Sequence, residues 1–393
     1  MITAEPAIAP LDREDCGQIP AYPAPGRFAA LDSMRGFAAL AVAFFHISAL
    51  HGIVQLPLIR GSNSFVDFFF VLSGFVIAAS YGGRIAAGYP IGRFMLLRIG
   101  RVWPLHLVMV GAFLVVEITV ALWGRQIGLE EQAFTGLHAP GFLLRAVLLL
   151  DGFFESRVNY YNGASWSVSV ELLAYILAAL AYRGARRGVA ALVILGWAAL
   201  AAEWAAVDLP LISESVLRCV SAFGLGVGCF LLHQRWAQSR IPYATAAEVL
   251  VVSILLTYVS IAGIRNPLIP CAIPSSLVII VLAREQGALS GLLRRAPFQW
   301  LGKVSYTVYM VHGFVVFAFM NLMLLAGRWG GFNIVERVYF PDGRRSKRII
   351  LDTIPATLLE LLMIGVVLVV AEFAWRWIEE PARQWSRRTV AAM

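Results

Sequence analysis

The chain has 393 residues, 59% of them hydrophobic and 14% charged, with a formal net charge of +8. Soluble domains carry about 25% charged residues, whereas apolar runs of about 17 to 24 residues recur here from end to end, each long enough to cross a bilayer. These figures exclude an ordinary soluble protein and leave no soluble domain of useful size. They also turn the basic excess from a nucleic-acid signal into a topology signal.

Residues 1–30, MITAEPAIAPLDREDCGQIPAYPAPGRFAA, mix Pro with acidic residues. They lack the basic start and apolar core of a secretory signal and read as a flexible cytoplasmic tail. Residues 31–385 read as one transmembrane domain, and 386–393 as a cytoplasmic C-terminal tail. The expected fold is an all-α polytopic membrane protein of about ten spans. The spans fall at Gly36–Leu56, Phe65–Tyr81, Leu105–Trp123, Trp166–Tyr182, Val189–Trp204, Leu211–Leu232, Ala246–Ile264, Leu268–Leu282, Val304–Ala326 and Ile354–Trp377. The eighth is the weakest, being short and preceded by Pro267 and Pro270. Between the third and fourth, GFLLRAVLLLDGFF is apolar but too short to cross, and reads as interfacial or re-entrant.

Charge distribution orients these spans. With the N-terminus in the cytoplasm, the inner segments hold Arg84, Arg93, Arg98 and Arg101; Arg183, Arg186 and Arg187; Arg235 and Arg240; and Arg284, Arg294, Arg295 and Lys303. Outer loops one, three and four hold only Arg60, none, and Arg265. An even number of spans puts both termini inside, as this bias requires. Two outer loops break the pattern. The longer, ERVYFPDGRRSKR, is strongly basic and suited to an anionic partner outside the membrane. The four cysteines, Cys16, Cys219, Cys229 and Cys271, are scattered without CxxC or metal spacing, so no disulfide framework or metal site is expected.

Ionisable residues inside the apolar runs are the candidates for chemistry, because such groups are costly in lipid. Arg35 and His46 lie in LDSMRGFAALAVAFFHISAL. A helix would set them roughly 16 Å apart, with Arg35 at one membrane face and the imidazole near the midplane. His46 reads as a general base or as a structural bond to a neighbouring helix. Arg98 and Arg101, one turn apart in GRFMLLRIGRVWPLH, suit bidentate phosphate contacts and equally suit inner-surface anchoring. Asp67 in SNSFVDFFFVLSGFVI either orients His46 or caps its own helix. In NGASWSVSVELLAYILA, Ser167, Glu171 and Tyr175 form a polar seam that should face a cavity. There Glu171 would bind acceptor hydroxyls or move a proton, or the seam would be a buried hydrogen-bond network. Ser305, Tyr309 and His312 share one face of LGKVSYTVYMVHGF. Arg218 in SVLRCVSAFGLGVG needs a partner, with Asp67 and Glu171 as candidates, and Glu379 and Pro381 in WRWIEEPARQW fit a helix stop.

Six stretches in this order, LDSMRGFAALAVAFFH, VDFFFVLSGF, RIGRVWP, SWSVSVE, LGKVSYTVYMVH and IEEP, carry a resemblance from about Leu31 to Trp385. Together they resemble the bacterial integral-membrane acyltransferase family usually called acyltransferase 3. The resemblance implies transfer of an acyl group, commonly acetyl, from cytoplasmic acyl-CoA to a hydroxyl at the far side of the membrane, usually on a carbohydrate. By position, Arg35 and His46 fall on the family's Arg-x10-His pair, and Arg98 and Arg101 on its inner Arg-x-x-Arg motif. Trp166, Ser167 and Glu171 match its Trp-Ser…Glu motif. Trp375 stands where a Tyr is expected, and no hydrolase-like domain is expected after the tenth span.

The expected mechanism follows from that placement. Arg35, Arg98 and Arg101 would hold the donor's phosphates, and His46 would take the acceptor's proton with Asp67 or Glu171 orienting it. Ser167, Ser305 or Tyr309 would stabilise the oxyanion, and Trp166 and His312 complete the substrate side. Direct transfer is favoured, since no cysteine or serine adjoins His46, although an acyl-enzyme stays open. No tightly bound cofactor is expected; acyl-CoA, acetyl-CoA first, is a co-substrate. The expected partners are a carbohydrate acceptor, such as an exopolysaccharide or lipopolysaccharide unit, and the lipid bilayer of a bacterial inner membrane, with no nucleic acid. A proton-coupled transporter is the second reading, although the internal repeat it favours is not visible. A lipid or small natural product is the alternative acceptor, and a non-catalytic scaffold is a third reading. Oligomeric state and acyl length are not legible.

Overall fold

The computed structural model describes residues 28–124, 133–135, 139–154, 161–207, 209–210, 212–236, 239–266, 269–339 and 345–393. With lipid as solvent, backbone N–H and C=O groups must be satisfied within each segment, and the apolar runs accordingly form helices. In chain order these are α1 (Ala29–Phe45), α2 (Phe65–Ile77), α3 (Ile91–Trp123), α4 (Ser165–Arg183), α5 (Ala185–Trp204), α6 (Glu214–Trp236) and α7 (Ala244–Ala262). Then follow α8 (Ala272–Leu282), α9 (Ala296–Gly330), the strands β1 (Val335–Tyr339) and β2 (Arg345–Ile349), α10 (Thr353–Ala374) and α11 (Glu380–Ala392).

Among the described residues, eight helical stretches are long and apolar enough to cross a membrane, and they coincide with eight of the ten expected runs. The other two are shorter. The 17 residues of α1 and the 11 of α8 reach about 25 Å and 16 Å, against a hydrocarbon core of about 30 Å. The apolar stretch between α3 and α4 contains an eight-residue helix, Pro140–Val147, far too short to cross.

The first run differs most from expectation. Its helix starts at Ala29 and stops at Phe45, so His46 is the C-cap of α1 and not a mid-helix residue. The apolar residues that follow read as part of the span because hydropathy cannot separate a helix from a packed loop. They leave the helix because other contacts claim their backbone. Ala49 pairs in parallel with Ile349 of β2; Leu50 N donates to Ile349 O, and Ile349 N to Ser48 O, both at 2.9 Å. Further along, the fully buried Glu360 of α10 accepts the N–H groups of Ile53 (2.8 Å) and Val54 (3.4 Å). Gly52 makes this possible, with φ at 104° and Glu360 Cδ only 2.7 Å from where a Cβ would sit.

Two helices set the polarity of the site. α1 and α9 lie side by side in the same direction, Arg35 reaching Ser305 and His46 reaching His312. Their backbones approach so closely that a Cβ on Gly36 would lie 2.7 Å from Gly302 N. α10 returns alongside α9, where Trp300 Nε1 donates to Glu372 Oε2 at 2.8 Å and Lys303 stands 3.8 Å from the Trp375 ring centroid. After a π-helical turn, Trp375–Glu379, α11 packs on the first half of α3, with Ser386 against Gly100. One end of the bundle therefore gathers Arg35, Arg101, Glu379 and Arg383. Toward the other lie His46, His312 and the β1–β2 hairpin, an element that reading the sequence as a loop had missed.

Candidate active site

Between α1, α2, α3, α4 and α9 lies an open cavity. Its walls include Arg35, Arg98, Arg101, Ser167, Glu171, Ser305 and Tyr309, together with Ser73, Tyr175 and Tyr306. Seven of the eleven residues singled out from the sequence thus share one wall system, although four separate segments supply them.

The basic end is built by α1 and the start of α3. Arg35 is fixed: Nε donates to Ser305 Oγ at 2.8 Å, Nη2 to Gly302 O at 3.0 Å, and Asp32 Oδ1 stands 3.4 Å from Nη2. Arg98 Nη2 donates to Tyr81 OH at 2.9 Å, with its guanidinium 4.7 Å from that ring's centroid, while its buried Nε has no hydrogen-bond partner among the described residues. Arg101, one turn on, makes no hydrogen bond or salt bridge among the described residues. Tyr306 OH donates to Val102 O at 2.5 Å and ties this stretch of α3 to α9. A cavity end with three guanidinium groups and unsatisfied donors suits a polyanion, because arginine forks match phosphate oxygens.

The seam on α4 faces the cavity. Glu171 Oε1 accepts from Ser73 Oγ of α2 at 2.5 Å and from Tyr175 OH at 2.6 Å. Ser167 Oγ donates to Ala164 O at 3.1 Å, which leaves the Tyr309 hydroxyl as donor in the 2.8 Å bond between the two side chains. Ser305 Oγ donates to Gly302 O at 2.8 Å while accepting from Arg35. Its hydroxyl hydrogen is therefore spent on Gly302 O, and its oxygen holds the arginine.

Tyr309 marks the far limit of the cavity. Its ring meets Phe69 edge-on at 5.6 Å and lies 5.8 Å from the His312 ring, and the His312 and His46 rings are 4.7 Å apart. The two histidines differ in access: His312 is 2% exposed, whereas His46 is exposed. His46 Nδ1 lies 2.9 Å from Val42 O, and His312 Nδ1 lies 3.3 Å from Val308 O. A carbonyl only accepts, so Nδ1 carries the hydrogen in each bond, and in the neutral ring Nε2 keeps its lone pair.

The partner of Asp67 is an arginine. Arg218 of α6 donates to its Oδ1 from Nε (3.1 Å) and Nη2 (2.8 Å), which also answers which carboxylate partners Arg218. The Arg218 guanidinium lies 5.6 Å from the Trp166 ring, which meets Phe70 edge-on at 6.1 Å. The orienting contact on His46 comes from Val42 of its own helix, not from Asp67 or Glu171. Reading the sequence also passed over Tyr306 and the bond from Ser73 to Glu171. Tyr306 had a signal, since it stands three residues before Tyr309 on the same helix face. Ser73 had only its polarity within an apolar helix.

Comparison with known proteins agrees with this arrangement. The family model described as an acyltransferase domain, Acyl_transf_3, matches residues 28–372. A relative from Streptomyces mycarofaciens, acyltransferase MdmB, is 27% identical over 327 residues, covering 74% of this chain and 79% of the relative. Protein 2 in the picA locus of Rhizobium radiobacter is 30% identical over 157 residues, 38% of this chain and 79% of that protein. No solved structure matches. The match spans nearly every element that builds the cavity, and the chain belongs to the acyltransferase 3 family.

Proposed function

We propose that this acyltransferase moves an acyl group, acetyl first, from cytoplasmic acyl-CoA to a hydroxyl of a carbohydrate acceptor at the outer side of a bacterial inner membrane. The acceptor is an exopolysaccharide or lipopolysaccharide unit. Both termini and the arginine end face the cytoplasm, as the basic inner segments require. The observation that carries the reading is the two-ended site: one cavity holds three arginines at its basic end, and a histidine pair stands past Tyr309 at the other.

In this reading Arg35, Arg98 and Arg101 bind the donor's phosphates, and its arm runs along the cavity toward Tyr309. The acceptor hydroxyl approaches from the hairpin end and gives its proton to His46 Nε2 as its oxygen attacks the thioester carbonyl. The Tyr309 hydroxyl, released from Ser167, donates to the oxyanion. The C–S bond then breaks, and the imidazolium returns the proton to the departing CoA thiolate. Glu171 orders the cavity wall through Ser73 and Tyr175, and Asp67 positions α2 against α6. Transfer is direct, without an acyl-enzyme.

The test is transfer of radiolabelled acetyl from acetyl-CoA by the purified full chain in proteoliposomes. Arg101→Ala is expected to raise the donor KM about tenfold or more, the size of one lost charge-assisted contact. A donor KM unchanged in both Arg35→Ala and Arg101→Ala would remove the arginine end from donor binding.

A further inference from the structure

Three phenylalanines run together in α2, Phe68, Phe69 and Phe70, and no step above uses them. Phe68 and Phe70 are buried, whereas Phe69 is half-buried. Phe69 lines the cavity, and its ring stands edge-on to that of Tyr309 at 82°, with centroids 5.6 Å apart. The Tyr309 hydroxyl is bonded to Ser167 at 2.8 Å. One aromatic ring of α9 is thus held from α2 by an edge contact and from α4 by a hydrogen bond.

That ring divides the site. Phe69, Ser167 and Tyr309 line the donor cavity, but neither His46 nor His312 does. Tyr309 meets the histidines on its other side, its ring 5.8 Å from that of His312, with His46 one ring further on at 4.7 Å. A thioester that has risen through the cavity therefore meets Tyr309 before it meets the base. Water around the exposed His46 likewise meets Tyr309 before it meets the thioester. An edge-on aromatic pair and one neutral hydrogen bond together favour this closed position by roughly ten- to a hundred-fold. A saccharide can offset that factor through contacts of its further hydroxyls, whereas a single water cannot.

Taking the donor and the base from the proposed function, we infer that Phe69 is a specificity-determining residue. By bracing Tyr309 it keeps the thioester and His46 apart while no saccharide is bound, and so directs the acyl group to a hydroxyl acceptor rather than to water. The side reaction it holds back is hydrolysis. Water would attack the thioester carbonyl and give a proton to His46 Nε2; the C–S bond would break, and that proton would pass to the CoA thiolate, leaving the free acid and the free thiol.

The experiment follows thiol release from acetyl-CoA, with no saccharide present, by the full chain in phosphatidylcholine nanodiscs, and acetyl-CoA binding in the same samples. Phe69→Ala is expected to release thiol about tenfold faster or more than the unaltered chain, with acetyl-CoA affinity changed by less than about twofold. Ser167→Ala removes the hydrogen bond instead of the ring contact and should do the same. Phe373→Ala, at an exposed ring of α10, should release thiol at the unaltered rate. Adding His46→Ala to Phe69→Ala should abolish the gain, which a merely loosened fold would not do. Should Phe69→Ala fold poorly, Ser167→Ala decides alone. Bound donor with release unchanged in both Phe69→Ala and Ser167→Ala, or a gain that survives the loss of His46, overturns the role of Phe69 and leaves the proposed function standing. No acetyl-CoA binding by any protein of the series would instead overturn the donor of the proposed function, and the role of Phe69 with it.

Discussion

Replacing His46 with alanine should lower the rate of acyl transfer about 10²–10⁴-fold, the usual contribution of a positioned general base. His46 is held by one hydrogen bond to Val42 O, and it is exposed where its buried neighbour His312 is not. Its removal therefore costs little packing. Donor binding should persist, because the three arginines line the cavity and His46 does not. His46→Gln is the informative companion: it keeps a polar side chain of similar reach but supplies no base, so it should be as slow as the alanine variant. Single-turnover transfer, measured with donor binding followed separately, checks both. Full activity in either variant would move the proton transfer elsewhere, with His312 as the first place to look.

The second large effect falls on stability. Asp67 and Arg218 are 8% and 16% exposed and form a buried ion pair between α2 and α6. Asp67→Ala leaves the guanidinium unpaired in a low-dielectric interior, a change that typically costs about 3–5 kcal/mol. The expected result is a large drop in thermal midpoint in detergent and a low yield of folded protein. The double substitution Asp67→Leu/Arg218→Met removes both charges and should recover most of that loss. It should also recover acyl transfer, because Asp67 acts here by positioning. A double variant that folds well yet transfers nothing would make Asp67 a reacting group.

These two expectations show where the sequence was informative. The helices were legible because an apolar run of membrane length has few alternatives to a helix in lipid. The polar seam of Ser167, Glu171 and Tyr175 was legible for a related reason: polar groups repeating at helical spacing need somewhere to face, and the cavity receives them. The end of α1 was not legible. Ile47, Val54 and their neighbours are apolar enough for a span, and the contacts that pull them out of the helix come from Ile349 and Glu360, about 300 residues away in sequence. The partner of Arg218 was hidden in the same way, since two carboxylates were available and helix packing order chooses between them. The hairpin left a trace in the alternation of VERVY and in the Pro-Asp-Gly that follows. That trace was outweighed by the basic residues, which read as a solvated loop.

The most direct test of the two-ended site is sidedness. In vesicles of known orientation, membrane-impermeant labelled acetyl-CoA should acylate a saccharide on the hairpin side only when supplied on the side of Arg35, Arg98 and Arg101. The His46→Ala protein should leave that label on the donor. Acylation that proceeds with acetyl-CoA confined to the hairpin side, or label transfer undiminished in His46→Ala, would contradict the account.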